Sequence, residues 1–314
     1  MRPEHSARYV LPPMTQVSLT TPPLARRVAQ EIGFVVQAAR PGFWLTTIWF
    51  YVMAVAGRTV FDRAEFWLGL VYVTFPLGVL IYGWNDVVDF ETDRFNPRKG
   101  TFLFGARGTP ERLARLPWQI AFVQAPFAIL FTFLLGLRAL AWFAALIVIA
   151  ALYNRRPFAF KARPGLDVLS QTGYLLVFVL ASWLNHVPQV PWFTFLFGAM
   201  FAMHSHLFGQ IMDLEPDRRA GRRTLAGVLH TVPAKWLLSV LLAVEAALIW
   251  TYARELWLAG FLAGGAMWFM LDAVLLWGAR AYSPREMSAL FLAWNAVALA
   301  SLPLIWHATS LGPR

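Results

Sequence analysis

Two stretches of this sequence place acids at spacings that suit metal-assisted phosphate chemistry. Asn85-Asp86-Val87-Val88-Asp89-Phe90-Glu91-Thr92-Asp93-Arg94 and Asp213-Leu214-Glu215-Pro216-Asp217-Arg218 align at Asp89 and Asp213, 124 residues apart. Both read Asp, apolar, Glu, any residue, Asp, Arg, three residues, Arg, basic residue, and end on Arg98-Lys99 and Arg222-Arg223. On a helix, residues three, four and seven apart share a face. That puts Asp86, Asp89 and Asp93 on one stripe, with Asn85 at its border and Tyr82 a turn away. In the second stretch it aligns His206, Gln210, Asp213 and Asp217, with Pro216 expected to bend or end the helix. Five carboxylates gathered at one place repel each other or take up protons unless cations share them. Oxygen ligands without His or Cys at ligand spacing suit a hard ion such as Mg²⁺, which binds through a few carboxylates and substrate phosphate oxygens. Asp89, Asp93, Asp213 and Asp217 are the expected metal ligands, and Asp86 beside them is a candidate base. Arg94, Arg98, Lys99, Arg222 and Arg223 after the motifs, with Arg155, Arg156, Lys161 and Arg163 elsewhere, are placed to hold phosphate charge. Together they suit a diphosphate. Glu91 and Glu215 lie off the stripes and are expected to pair with nearby Arg.

The elements that must position these residues are membrane helices. Of 314 residues, 58% are apolar, 16% aromatic and 14% charged, a balance unlike that of a soluble globule. Runs of about 17 to 25 apolar residues can cross a bilayer as helices. Nine are expected, near 41–57, 66–84, 117–136, 139–153, 168–187, 192–212, 236–252, 256–278 and 287–305. The net charge of +10 points to loops facing an anionic leaflet, not to nucleic acid. With alternate spans, 22 of the 27 Lys and Arg fall on the side of the N-terminus and 5 on the other. Because cytosolic loops keep Lys and Arg, the N-terminus is expected inside and the C-terminus outside. Four spans separate the two acidic motifs, so both face the cytosol and form a parallel repeat. The absence of Cys excludes thiolate metal sites, disulfides and cysteine nucleophiles.

The expected organisation is all-α. It comprises a disordered cytosolic tail at 1–23, an interfacial amphipathic helix at 24–40, a nine-helix intramembrane domain at 41–306 and a C-terminal tail at 307–314. Leu24, Val28, Ile32 and Val35 form the apolar face of the interfacial helix, opposite Arg26, Arg27, Gln30 and Glu31.

The pattern Asn85-Asp86-x-x-Asp89-x-x-x-Asp93 with Asp213-x-x-x-Asp217 resembles the two signature motifs of the UbiA-type intramembrane prenyltransferases. The likeness covers nearly the whole chain. Arg40-Pro41 is similar to the family's opening. Tyr153, Pro157, Lys161, Arg163-Pro164 and Asp167 are similar to its fourth connection, where Tyr and Lys help to hold the diphosphate. Residues 93–100, 160–167 and 213–218 look most like the lycopene-elongase branch, which adds prenyl units to the ends of a carotenoid.

The resemblance implies a nine-helix bundle with its site open to the cytosol. It also implies an isoprenyl diphosphate donor held through Mg²⁺ and a hydrophobic acceptor taken from the membrane lipid. The metal stabilises the departing pyrophosphate, and an acceptor alkene or arene attacks the allylic cation. Tyr82, His206 and Gln210 are candidates for the acceptor pocket. The final proton goes to pyrophosphate, to water or to Asp86. His204, Glu245, Asp272 and Asn295 also lie in the spans, where polar groups call for a reason; Glu245 and Asp272 are expected to pair with neighbours or backbone. Aromatic quinone precursors as acceptors, a terpene cyclase and an ion or phosphate transporter remain as alternatives.

Overall fold

A computed structural model of the protein describes residues 23–313, so all but Pro23 of the tail expected at 1–23 lies outside it. Every regular element among the described residues is helical. In chain order they are α1 (Leu24–Ala38), α2 (Trp44–Met53), α3 (Ala64–Thr74), α4 (Pro76–Val88), α5 (Phe90–Asp93), α6 (Pro110–Leu135), α7 (Leu137–Asn154) and α8 (Leu166–Leu169). There follow α9 (Leu176–Leu184), α10 (Trp192–Met212), α11 (Leu214–Arg219), α12 (Leu225–Leu229), α13 (Thr231–Leu248), α14 (Leu256–Leu271) and α15 (Pro284–His307).

Seven continuous stretches are long and apolar enough to cross a membrane: Ala64–Val88, Pro110–Leu135, Leu137–Asn154, Leu166–Leu184, Thr231–Ala253, Leu256–Leu276 and Pro284–His307. They correspond to seven of the nine expected spans. The other two differ for identifiable reasons. The segment expected at 41–57 forms a short 3₁₀ turn and the ten residues of α2, then ends in turns. Helix α10 has 21 residues but carries His204, His206 and Gln210, which dilute its apolar character.

Apolar side chains cover much of the outside. Phe133 is 90% exposed, and Trp118, Phe122 and Leu137 are each 80% exposed. Bare patches of this kind would aggregate in water and are at home in lipid. Helix α1 likewise leaves Leu24, Val28 and Ile32 exposed while Phe34 and Ala38 are buried.

Helix starts follow local chemistry. The Thr109 side chain caps α6 ahead of Pro110, and Ser283 and Glu286 close a capping box on α15. Helix α15 returns to pack on α2, and Trp49 donates to Ser301 Oγ at 3.2 Å. Helix α10 packs on α13, and α13 packs on α14. The connections after α4, α7 and α10 converge at one end of the bundle. At the other end Arg63 donates to the Asn185 carbonyl at 3.1 Å, tying the connection after α2 to the one after α9.

Candidate functional site

The sequence repeat is also a repeat of backbone shape. Asp89 ends α4 with φ −94° and ψ 10°, and Asp213 ends α10 with φ −94° and ψ 7°. A short helix follows each break, and the i to i−4 hydrogen bonds run on through it. Asp93 N donates to Asp89 O at 2.8 Å, and Asp217 N donates to Asp213 O at 2.8 Å. The acids therefore keep nearly helical spacing while the chain bends over the end of the bundle. Pro216 causes no break of its own, because it sits in the first turn of α11, where its missing N–H is not needed.

Basic side chains from distant segments close on these acids. Asp86 pairs with Arg40 at 2.9 Å and also with Lys99, and Lys99 reaches Asp93 at 2.8 Å. Asp89 is shared between Lys161 at 2.5 Å and Arg222 at 2.7 Å. Asp213 pairs with Arg98 and accepts from Asn96 at 3.1 Å, and Asp217 lies 3.6 Å from Arg222. Five carboxylates thus meet five cations.

Arg40 is held by unusual backbone. Its own φ is +49°, in the left-handed region that costs a residue with a Cβ about 1–3 kcal/mol. Gly78 lets α4 approach within van der Waals contact, since a Cβ there would lie 2.7 Å from the Ala39 carbonyl. Gly105, at φ +112°, leaves room for the Arg40 side chain.

A cavity of about 490 Å³ opens beside this network. Asp89, Asp93, Asp213 and Asp217 line it, with Asn85, Arg98, Lys99, Tyr153, Lys161 and Arg222. Its walls then turn apolar and reach Phe261 and Phe269 on α14 and Phe291 and Trp294 on α15. A smaller pocket of about 290 Å³ shares Thr46, Phe261, Trp294 and Val297 with it and is lined further by Trp49, Phe201 and Trp257.

The charges of the mouth are tuned unequally. Burial would raise the Asp89 carboxyl, but the charges of Arg222 and Lys161 prevail and hold it below the usual carboxylate range. For Asp93 burial prevails over Lys99 and the pKa rises. Burial pushes Asp217 up to about 7 against the pull of Arg222, with Asp213 and Asp89 adding to the rise. Burial lowers Lys161, and Asp89 only partly restores it.

A family model for the UbiA prenyltransferase family matches residues 43–308. The chain belongs to this family. Members are prenyltransferases, and this chain is one. It is 28% identical over 252 residues to a lycopene elongase/hydratase of Corynebacterium glutamicum, covering 79% of this chain and 86% of that protein. It is 31% identical over 219 residues to a lycopene elongase/hydratase of Haloferax volcanii, covering 67% and 69% respectively. The fold matches that of a UbiA homolog from Archaeoglobus fulgidus bound to DMAPP and Mg²⁺, with a TM-score of 0.58, 19% identity and coverage of 87% of this chain and 99% of that one.

Within this UbiA prenyltransferase several expected site residues stand elsewhere than the motif suggests. Asp86 shares the stripe with Asp89 and Asp93 but does not line the cavity; it lies behind the wall, 3% exposed, anchoring Arg40 and Lys99. Arg94 is exposed and pairs with Glu91, Arg163 donates to the Pro157 carbonyl, and Arg223 is exposed; none of the three lines the cavity. Arg94 and Arg223 are carried past it because each adjoins, but does not share, the inward-facing position of Asp93 or Arg222, and Arg163 lies two residues beyond Lys161. Gln210 lines the cavity but its amide is engaged at both ends, donating to Asp167 Oδ2 at 2.8 Å and accepting from Ala226 N at 3.1 Å. It ties α10 to the starts of α8 and α12. Tyr82 faces the cavity and hydrogen-bonds the Tyr174 hydroxyl at 2.6 Å, and the His206 ring meets Tyr153 edge to face.

Arg40 and Asn154 were missed as site residues. Asn154 accepts from Lys161 Nζ at 3.0 Å. The only sequence signal for Arg40 was its place before Pro41 at the start of the bundle. Asp272 pairs with the fully buried Lys235 at 2.7 Å and accepts from the Tyr282 hydroxyl, away from the cavity.

The donor set fits a hard divalent ion. Four carboxylates from both motifs line one space, with no soft ligand among them. No three acids among the described residues already converge as a closed metal cluster, because each acid is held by an ammonium or guanidinium group.

Proposed function

We propose that this enzyme transfers an isoprenyl group from an allylic diphosphate to the end of a lycopene-like carotenoid within the membrane. The observation that supports this best is the union, in one cavity, of both acidic motifs, Lys161 and Arg222 with a long apolar wall. The names of the relatives from Corynebacterium glutamicum and Haloferax volcanii supply the acceptor class.

In this reading the chain crosses the membrane nine times, with α2 and α10 completing the count. The N-terminus and the site are cytosolic, α1 lies along the interface, and residues 41–306 form the catalytic domain. Asp89, Asp93, Asp213 and Asp217 hold Mg²⁺, which when bound offsets the negative charge of the diphosphate and of the pyrophosphate that leaves.

The chain's own residues change partners as substrate binds. Carboxylates that now face cations turn to the metal, and Arg98, Lys99, Lys161 and Arg222 are freed for phosphate oxygens. Asn85 and Tyr153 stand beside Lys161 and Asp89 to orient the same group. Asp86 keeps Arg40 and Lys99 in place throughout. Asp86 itself, shut off from the cavity, is a poor base.

The C1–O bond of the donor breaks with its electron pair going to pyrophosphate, and the acceptor double bond supplies the pair for the new C–C bond. The apolar wall keeps water from the allylic cation. Aromatic faces add about 0.5–2 kcal/mol of stabilisation each where they meet it. The smaller pocket beyond Phe261 and Trp294 extends the room for a long acceptor.

The test is mass spectrometry of lipid extracts from a lycopene-producing host that expresses this chain or its Asp213→Asn variant. Carotenoids heavier by one or two prenyl units, absent from the variant, are expected. Untouched lycopene in membranes that contain the protein overturns the carotenoid acceptor and moves the reading to aromatic acceptors.

A further inference from the structure

One buried His–Glu pair in the cavity wall is not used by the diphosphate chemistry. His204, on α10, is 5% exposed and lines the cavity. Its Nδ1 lies 2.6 Å from Oε1 of Glu245 on α13, and Glu245 is fully buried. Oε2 of Glu245 has no hydrogen-bond partner among the described residues, and neither does Nε2 of His204. A carboxylate with an oxygen left unpaired in the membrane interior is costly, and such a group calls for a functional reason.

The geometry favours one tautomer. With Glu245 ionised its carboxylate accepts only, so Nδ1 carries the proton towards Glu245 and the Nε2 lone pair is left for the cavity. Phe201 packs edge to face on the ring at 5.0 Å between centroids, which helps to fix its direction. This is the arrangement in which a carboxylate orients an imidazole base and stabilises the imidazolium that forms. His206, the other cavity histidine, feels the charge of Asp213 but has no carboxylate hydrogen-bonded to its ring among the described residues.

Depth also fits. His204 precedes Asp213 by nine residues of helix, about 13 Å at 1.5 Å per residue. His204 therefore lines the same cavity about two and a half turns deeper than the acids of the mouth.

We propose that His204 is the base that takes the last proton of the reaction, with Glu245 as its positioning residue. This rests on the prenyl-transfer reading. After the C–C bond forms, the acceptor carries a carbocation. The adjoining C–H bond breaks, its electron pair forms the new double bond, and the proton goes to His204 Nε2. Where water adds to the cation instead, the same lone pair takes the water's proton as the C–O bond forms. Glu245 offsets the imidazolium charge until the proton leaves through the cavity mouth to solvent.

The experiment uses the full chain in membranes with dimethylallyl diphosphate, lycopene and Mg²⁺. Prenylated product, pyrophosphate and dimethylallyl alcohol are measured together for the wild type and for His204→Gln, Glu245→Gln and Glu245→Asp. General-base catalysis contributes about 10²–10⁴-fold. His204→Gln and Glu245→Gln are expected to lower kcat for coupling about 100-fold with KM for the diphosphate unchanged, and to raise the ratio of alcohol to coupled product. Glu245→Asp is expected to recover part of the loss. The balance of alkene and hydrated products shows whether carbon or water gives up the proton.

Wild-type coupling rates and ratios in folded His204→Gln and Glu245→Gln would overturn the proposal. So would equal losses of coupling, pyrophosphate release and thermal stability in all three variants, which mark a packing pair. If the wild type leaves lycopene untouched, the acceptor reading fails by itself. The same variants are then assayed with 4-hydroxybenzoate, whose ring must also lose a proton on alkylation.

Discussion

Asp89 and Asp213 stand at the same backbone break in the same local sequence, yet their surroundings differ. In the first motif Asp86 and Asp89 are sealed, while the Asp93 side chain is 16% exposed. Asp86 and Asp89 are each 3% exposed, and two cations close on each of them. The second motif is open by comparison, with the side chains of Asp213 and Asp217 24% and 15% exposed. Asp217 has one cation, at 3.6 Å, and its pKa is pushed up to about 7. A repeated motif thus repeats its helix geometry, while its charge state is set by whatever the rest of the fold brings to it. The first half is neutralised by the protein. The second half receives fewer protein cations, and the raised Asp217 carboxyl gives up its proton only near neutrality.

The largest effects should come from removing an acid that lines the cavity. Asp89→Asn and Asp213→Asn are each expected to lower prenyl transfer about 10²–10³-fold, the range seen when one electrostatic stabiliser is lost, as read by product formation at saturating diphosphate. If only one of them does so, the two motifs do not share a site.

Asp86→Ala separates structure from chemistry. It leaves Arg40 and Lys99 without their shared partner, and breaking a buried pair costs about 3–5 kcal/mol. Its thermal midpoint in detergent should fall clearly, while that of Asp213→Ala, at the more open site, should fall little. Equal midpoints would erase the contrast between sealed and open motifs.

Acidity tests the open motif directly. As a proposed metal ligand Asp217 must be deprotonated, and its carboxyl, raised to about 7 by burial, takes up its proton as pH falls below that value. Apparent Mg²⁺ affinity is expected to fall up to tenfold per unit below pH 7, with proton release on binding. Asp217→Asn should flatten that dependence, and titration of Mg²⁺ against turnover at several pH values measures both.

The smallest effects belong to basic residues that the fold turns away from the cavity. Arg163→Ala and Arg223→Ala are expected to change KM for the diphosphate less than about twofold, as exposed charges contribute little, whereas Lys161→Ala should raise it strongly. A large effect at Arg223 would show that the α11 segment closes over the substrate.

Much of this was legible without the fold because its causes are local. Helical spacing placed Asp89 with Asp93 and Asp213 with Asp217, and apolar run length marked the seven stretches long enough to span. The weak points were also local in origin. The run at 41–57 reads as apolar throughout, but turns after Met53 leave only a short helix. Helix α10 is long enough, but the polar residues it gives to the site dilute its apolar character. Arg94, Arg163 and Arg223 were assigned by proximity in sequence, and a one-residue step on a helix or turn is enough to send a long side chain the other way.

Composition, run length and motif spacing by themselves determined the all-helical membrane class and the acids of the mouth, and the family came from the resemblance of the two motifs. All of these depend on residues within a few turns of one another. Only the tertiary structure decided which cation meets which acid: Arg40 with Asp86 across 46 residues, Lys161 with Asp89 across 72, Glu245 with His204 across 41. Those pairings follow from how whole helices pack, and from glycine contacts such as Gly78 against Ala39, so no local pattern encodes them. Charge in a membrane interior is stabilised only by a partner at contact distance. The chemistry of the site is therefore set where distant segments meet.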